Sequence, residues 1–234
     1  MNSVPTHKPR PMVDLMFSII LPSIILMKFS GENDLGASGG LIVALAFPLG
    51  WGLFELIKYR KFNFIALLGL ISVLLTGGIG LFELDTKWLA IKEAAIPAAI
   101  GIAILISAFT PYPLVKALLF NPTLMDVEKI NKRLEEKNST VVFDNRLLKA
   151  AYFVVGSFSF SAIMNYILAK WLVTNPSGTP EFNEELGQLT LYSYPMIALP
   201  TMVMMMGIFY YLWRTIHDLT GLKLEEVLAA KEED

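Results

Sequence analysis

Six apolar blocks dominate this chain, each close to the roughly 20 residues that a helix needs to cross the roughly 30 Å hydrocarbon core of a bilayer. They run from Met12 to Phe29, Gly36 to Ile57, Phe62 to Phe82, Ile91 to Phe109, Leu147 to Val173 and Leu189 to Trp213. Lipid offers no partner to an unpaired backbone amide or carbonyl, so blocks of this length must be helical. The expectation is an all-α, polytopic integral membrane protein of about six transmembrane helices, forming a single transmembrane domain over residues 1–234. Composition agrees. Mean hydropathy is +0.54 and 17% of residues are charged, against about a quarter in an ordinary soluble domain.

Several function classes fall away on residue counts. The chain has no cysteine, which removes disulfides, thiol catalysis and thiolate metal sites. Its two histidines, His7 and His217, stand at opposite ends of the chain, so a zinc site built within it is not expected. A net charge of −2 gives no electrostatic footprint for nucleic acid. No cofactor motif is present, and the reading is of a chain that is not an enzyme. His7, Lys8 and Arg10 would suit the charged start of a signal peptide. However, the run that follows is long, and Pro22, Lys28 and Phe29 form no small-residue cleavage site; the first block reads as an uncleaved helix.

Orientation follows from Lys and Arg. With a cytoplasmic N-terminus, 15 of the 19 basic residues fall on the cytoplasmic side, the others being Lys28, Lys87, Lys92 and Lys170. Both termini are therefore expected in the cytoplasm, and the protein in a bacterial plasma (inner) membrane as a multi-pass protein. Between spans four and five, residues 122–146 read as a cytoplasmic amphipathic connector. Leu124, Val127, Ile130 and Leu134 share one face, and Thr123 with Asp126 offers a capping box. Such a helix serves either as a docking lever or as a connector lying on the membrane surface. Residues 215–234 read as a cytoplasmic tail with a weak apolar face at Leu222, Val227 and Leu228, and with a frayed, Glu-rich end. The outer segment from Asn175 to Pro180 is turn chemistry, followed by Glu181, Glu184 and Glu185.

Ionisable groups at membrane depth are expensive and are functional suspects by default. Asp14 suits a helix N-terminus, Glu55 can pair with Lys58 one turn on, and Lys28 can snorkel to the surface. The hairpin between spans three and four is richer: Gly77, Gly78 and Gly80 precede Asp85, Trp88, Lys92 and Glu93. Lys92 is four residues beyond Trp88 and so shares its face, while Asp85 either pairs with Lys92 across the turn or caps the helix. The group forms either a small polar site at the outer rim or a structural clamp that fixes the hairpin.

Ser157, Ser161, Asn165 and Ala169 recur every four residues in span five, as do Ala95, Ala99, Ala103 and Ser107 in span four. Small and polar stripes of this kind are packing seams before they are substrate linings. Pro48, Pro97, Pro195 and Pro200 are candidate kinks, and the last two flank a segment that is followed by a methionine-rich stretch, Met202 to Met206, of the adaptable kind. Gly36 and Gly40 make a small-xxx-small step that serves either homo-oligomer contact or packing within one chain.

The run Thr76-Gly77-Gly78, Leu81-Phe82, Asp85, Lys92, Gly101, Leu105 and Ser107 resembles the intracellular septation protein A superfamily of bacterial inner-membrane proteins. Phe62 to Leu114 carries the likeness best, with Lys58-Tyr59-Arg60 before it. Pro113-Leu114 and Leu219-Thr220-Gly221-Leu222 look like a sister branch. The resemblance implies a multi-spanning protein linked to envelope synthesis and cell division, with membrane lipids and envelope-synthesis or division proteins as partners. It carries over no catalytic residue. The expected function is thus non-enzymatic, in envelope organisation or septation. The alternative is a small transporter or channel for a lipid or organic solute, motivated by the kinked helices and by Asp85, Lys92 and Glu93. A lipid-modifying enzyme ranks last, because no acids, bases or metal ligands gather at one depth.

Overall fold

The computed structural model describes residue 12 and residues 15–59, 64–110, 113–120 and 125–228. Among these the fold is all-helical, and the only extended pairing is an isolated antiparallel bridge between Met125 and Leu228. A π-helical turn, Met16–Ile20, leads into α1 (Leu21–Lys28). Then follow α2 (Gly36–Tyr59), α3 (Phe64–Leu81), α4 (Lys87–Ser107), α5 (Leu114–Leu119), α6 (Val127–Glu136) and α7 (Thr140–Leu172). The chain ends with α8 (Pro180–Ser193), a second π-helical turn (Tyr194–Ala198), α9 (Leu199–Thr220) and α10 (Leu224–Val227).

Four helical stretches are long and apolar enough to cross a membrane: Gly36–Phe54, Lys87–Ser107, Thr140–Leu172 and Pro180–Thr220; Met16–Lys28 and Leu70–Leu81 are shorter apolar helices. The surface is correspondingly inside-out. Ile106, Ile163, Trp171, Val203 and Met206 are each at least 58% exposed, a quantity of bare apolar side chain that water would not tolerate but lipid solvates.

Helix boundaries differ from the apolar blocks where a cap intervenes. α4 begins at Lys87 rather than Ile91, because the Asp85 carboxylate accepts from the Lys87 amide at 2.8 Å and satisfies the first turn. The last long helical path begins at Pro180 rather than Leu189. Thr179 accepts from Phe182 N at 3.2 Å and Pro180 supplies the fixed φ of a first helical residue. Within the 122–146 connector, the Asp126 side chain itself caps α6, accepting from Lys129 N at 3.0 Å. The connector is then interrupted: Asn138 adopts φ +52° and α7 starts at Thr140, so residues 140–146 of the connector belong to the long helix. Asp14, the Glu55 and Lys58 side chains, Leu124, Thr123 as a capping partner, and the tail beyond residue 228 lie outside the described residues.

Pro48 lies inside α2 and Pro97 inside α4. Pro195 lies within the second π turn and Pro200 at the start of α9. A proline has no N–H to give to the preceding turn, and the Leu191 carbonyl that Pro195 cannot reach accepts instead from Tyr194 N.

Contacts cluster into two compact units, residues 1–96 with 162–198, and residues 97–161 with 199–234. In the first, α1 packs on α2 and α8 around Leu26, Leu41, Ala44, Ile79, Leu89, Phe182 and Leu186. Lipid-solvated helices gain nothing from burying apolar area, so close approach through small residues holds them. A Cβ on Gly187 would meet Met27 Cγ at 2.7 Å and the Ser23 carbonyl at 3.0 Å, and one on Gly77 would meet Leu45 Cδ1 at 2.9 Å.

In the second unit, Ile130 and Leu134 of α6 are completely buried with Phe143, Leu147, Val154, Leu212 and Ile216. The apolar face of the amphipathic helix is therefore covered by protein. The tail to residue 228 is likewise docked rather than frayed. Gly221 ends α9 at φ +77°, Leu222 and Val227 are buried, and Val227 O accepts from Asp126 N at 2.9 Å.

Candidate functional site

Among the described residues of the first unit, one charged group lies where charge is costly. Lys92 is 8% exposed, within a helix of span length. Its ammonium donates to Thr76 Oγ1 at 2.7 Å and Ser72 Oγ at 3.2 Å and pairs with Glu93 Oε1 at 2.6 Å. An ammonium has three N–H donors, so all three are engaged.

Depth can be read from helix rise. Lys92 and Thr76 each lie about 7.5 Å inside their helix ends at Lys87 and Leu81, and Ser72 about 13.5 Å inside, at 1.5 Å per residue. A helical side chain leans toward its own N-terminus, which for Lys92 is the nearer exit from the membrane. The ammonium instead turns inward to two hydroxyls of α3. Thr76 is itself fixed, donating to Ser72 O at 3.0 Å. Lys92 is thus held in the bundle and does not snorkel.

The other residues of the hairpin group do other work. Asp85 is exposed and pairs with Lys87 at 3.1 Å, not with Lys92. The Lys87 backbone amide, and after it the Lys87 ammonium, holds the Asp85 carboxyl below its ordinary range. Trp88 is half exposed beneath the Lys87 ammonium, 5.9 Å from the ring centroid. The four-residue spacing to Lys92 therefore does not put the two in one environment. Gly77 lies against α2, whereas a Cβ on Gly78 would meet only Phe82 of its own turn, at 4.0 Å. Ser157 is buried, with Ser161 and Asn165 half-buried on the same face of α7.

Two further polar centres carry weaker sequence signals. Asn183, 1% exposed, donates through Nδ2 to Ser30 Oγ at 3.0 Å and Ala37 O at 2.6 Å. Its signal is an amide set beside the apolar positions Phe182, Leu186 and Leu189. Glu185 accepts four hydrogen bonds, from the amides and side chains of Thr174 and Asn175, all at 2.8–2.9 Å. It thereby ties the segment just after α7 to the second turn of α8. Among the described residues, no three His, Asp or Glu side chains are grouped to hold a metal ion. Comparison with protein-family models, with curated proteins and with solved structures finds no match.

Proposed function

We propose that this chain is a six-span plasma-membrane protein with cytoplasmic termini. It acts without catalysis, organising envelope synthesis or septation through protein or lipid partners. The observation that supports this reading is the closed Lys92 cluster. The most deeply buried charge among the described residues has every donor engaged by Thr76, Ser72 and Glu93, which suits a clamp that sets the hairpin and leaves the outward surface for partners. The resemblance of Phe62 to Leu114 to the septation superfamily points the same way, and the positive-inside distribution supports the orientation.

The test is extraction of tagged protein into lipid-preserving discs, with proteomics and lipidomics of what accompanies it. A stoichiometric envelope or division protein is the expected result. A deletion strain whose envelope composition, shape and division are unchanged under osmotic stress would end this reading.

A second reading, a small transporter or channel for a lipid or organic solute, is favoured by the position of the Lys92–Glu93 pair within a span-length helix. It requires liposome flux that falls in Lys92→Ala, and a broad solute panel without flux removes it.

A further inference from the structure

Within the second unit a cavity of about 350 Å3 opens beside the end of α4, between α5 and the first turns of α7. Its walls are of two kinds: Pro113, Val115 and Leu147 are apolar, while Lys116, Asp144 and Asn145 are polar. The two charges are loosely matched. Lys116 Nζ and Asp144 Oδ1 are 4.0 Å apart, with side chains 48% and 57% exposed. At that separation each keeps free capacity for a second partner, unlike the tight Lys92–Glu93 contact.

We infer that this groove is a headgroup site for a zwitterionic phospholipid, with Lys116 facing the phosphate, Asp144 and Asn145 facing the ammonium, and an acyl chain lying along Pro113 and Leu148, the half-buried apolar residues of the lining. Three features carry the assignment. Cation and anion stand side by side, which matches a headgroup bearing both signs. A headgroup with only negative charge would meet the Asp144 carboxylate, a repulsive element that confers specificity. The groove also joins polar and apolar walls at the point where the apolar run of α7 opens at Leu147 and that of α4 closes at Ser107, which is the level of a membrane interface.

The inference names a lipid partner and so rests on the membrane reading above. The test is native mass spectrometry of purified full-length protein titrated with phosphatidylethanolamine or phosphatidylglycerol. Wild type should retain the zwitterionic lipid preferentially. Asp144→Asn should lose that preference by about fivefold, the size of one partly solvated ion contact, and gain phosphatidylglycerol. Lys116→Gln should weaken both lipids by a similar factor, while Lys116→Arg keeps the preference. Both side chains are exposed, so melting temperature should be unchanged.

Equal retention of the two lipids by wild type, preference for phosphatidylglycerol, or an unchanged preference in Asp144→Asn overturns the site. Failure here leaves any co-extracted protein partner standing. An unaltered deletion strain, by contrast, removes the organiser reading while leaving a measured headgroup preference intact.

Discussion

Lys129 Nζ stands 3.2 Å from Glu226 Oε1, an ion pair between residues 97 apart that fastens the tail to the connector helix. The same carboxylate accepts from Lys223 N at 3.0 Å through Oε2, and the bridge between Met125 and Leu228 completes the attachment. The tail is thereby a strap across α6, with Leu222 and Val227 as its apolar anchors.

The strap should loosen in acid. The Lys223 amide first, and then the Lys129 ammonium, holds the Glu226 carboxyl below its ordinary range. A carboxylate lowered in the folded state contributes stability above its unfolded pKa, and that contribution is lost as pH falls through the lowered folded value. Hydrogen exchange of amides 222–228, corrected for the intrinsic pH dependence, should therefore rise only below about pH 4, the ordinary carboxylate range. Glu226→Gln should show the faster exchange already at neutral pH. Protection that is identical in the variant and in wild type across this range would show that the apolar anchors alone hold the strap.

Removing one partner of the Lys92 cluster should cost far more than removing the pair. Lys92→Ala leaves Glu93 without its cation in a low-dielectric setting and should destabilise by about 3 kcal/mol or more. Thr76→Val removes two hydrogen bonds, the one from the Lys92 ammonium and the one to Ser72 O, and should cost about 2 kcal/mol. Lys92→Met combined with Glu93→Gln should recover most of the loss. Unfolding in mixed micelles, read as a double-mutant cycle, checks the ordering. Additive effects of the two substitutions would mean that the two charges are not coupled.

Glycine substitutions should separate contact from mere composition. Gly187→Val drives a side chain against Met27 and the Ser23 carbonyl, where the backbone cannot yield, and should cost about 1–3 kcal/mol by overpacking. Gly156 lies in α7 with nothing within 4 Å of an added Cβ. Gly156→Ala should instead raise stability by up to about 1 kcal/mol through helix propensity. Melting temperatures in one detergent would show the opposite signs directly.

Long apolar runs are readable because hydrophobic length is a sum over many residues, and no single substitution alters it. Boundaries are less readable, because one side chain sets each. Asp85 and Thr179 add a turn or more to their helices by capping, although the Thr179-Pro180 pair was a visible signal. The fate of Lys92 was not legible. Asp85 is nearer to Lys92 in sequence than Thr76 is, and only the hairpin geometry decides that Asp85 is engaged at the helix start while the ammonium meets α3. The tail showed its apolar anchors, Leu222 and Val227, but not where they dock, for a related reason. A backbone bridge between Met125 and Leu228 has no side-chain signature, and it forms only once α6 and α9 have packed through Leu134 and Leu212.

The absence of cysteine makes the topology directly measurable, because any single cysteine is a unique label. Six spans with cytoplasmic termini put position 34 on the outer side, with 87 and 175, and position 132 on the inner side, with 225. If only the four span-length helices cross, starting at Gly36, position 34 instead shares a side with 132. The informative set is therefore Asp34→Cys, Asn175→Cys, Lys132→Cys and Glu225→Cys, each exposed to a membrane-impermeant maleimide before and after permeabilisation. The expected outcome is labelling of positions 34 and 175 in intact cells, with 132 and 225 reached only after permeabilisation. Protection of position 34 together with 132 would reduce the count to four spans and place the first helix, Met16 to Lys28, on the membrane surface. Its 13 residues reach only about 20 Å at 1.5 Å each, so crossing would require the bilayer to thin around it or residues before Met16 to continue the helix.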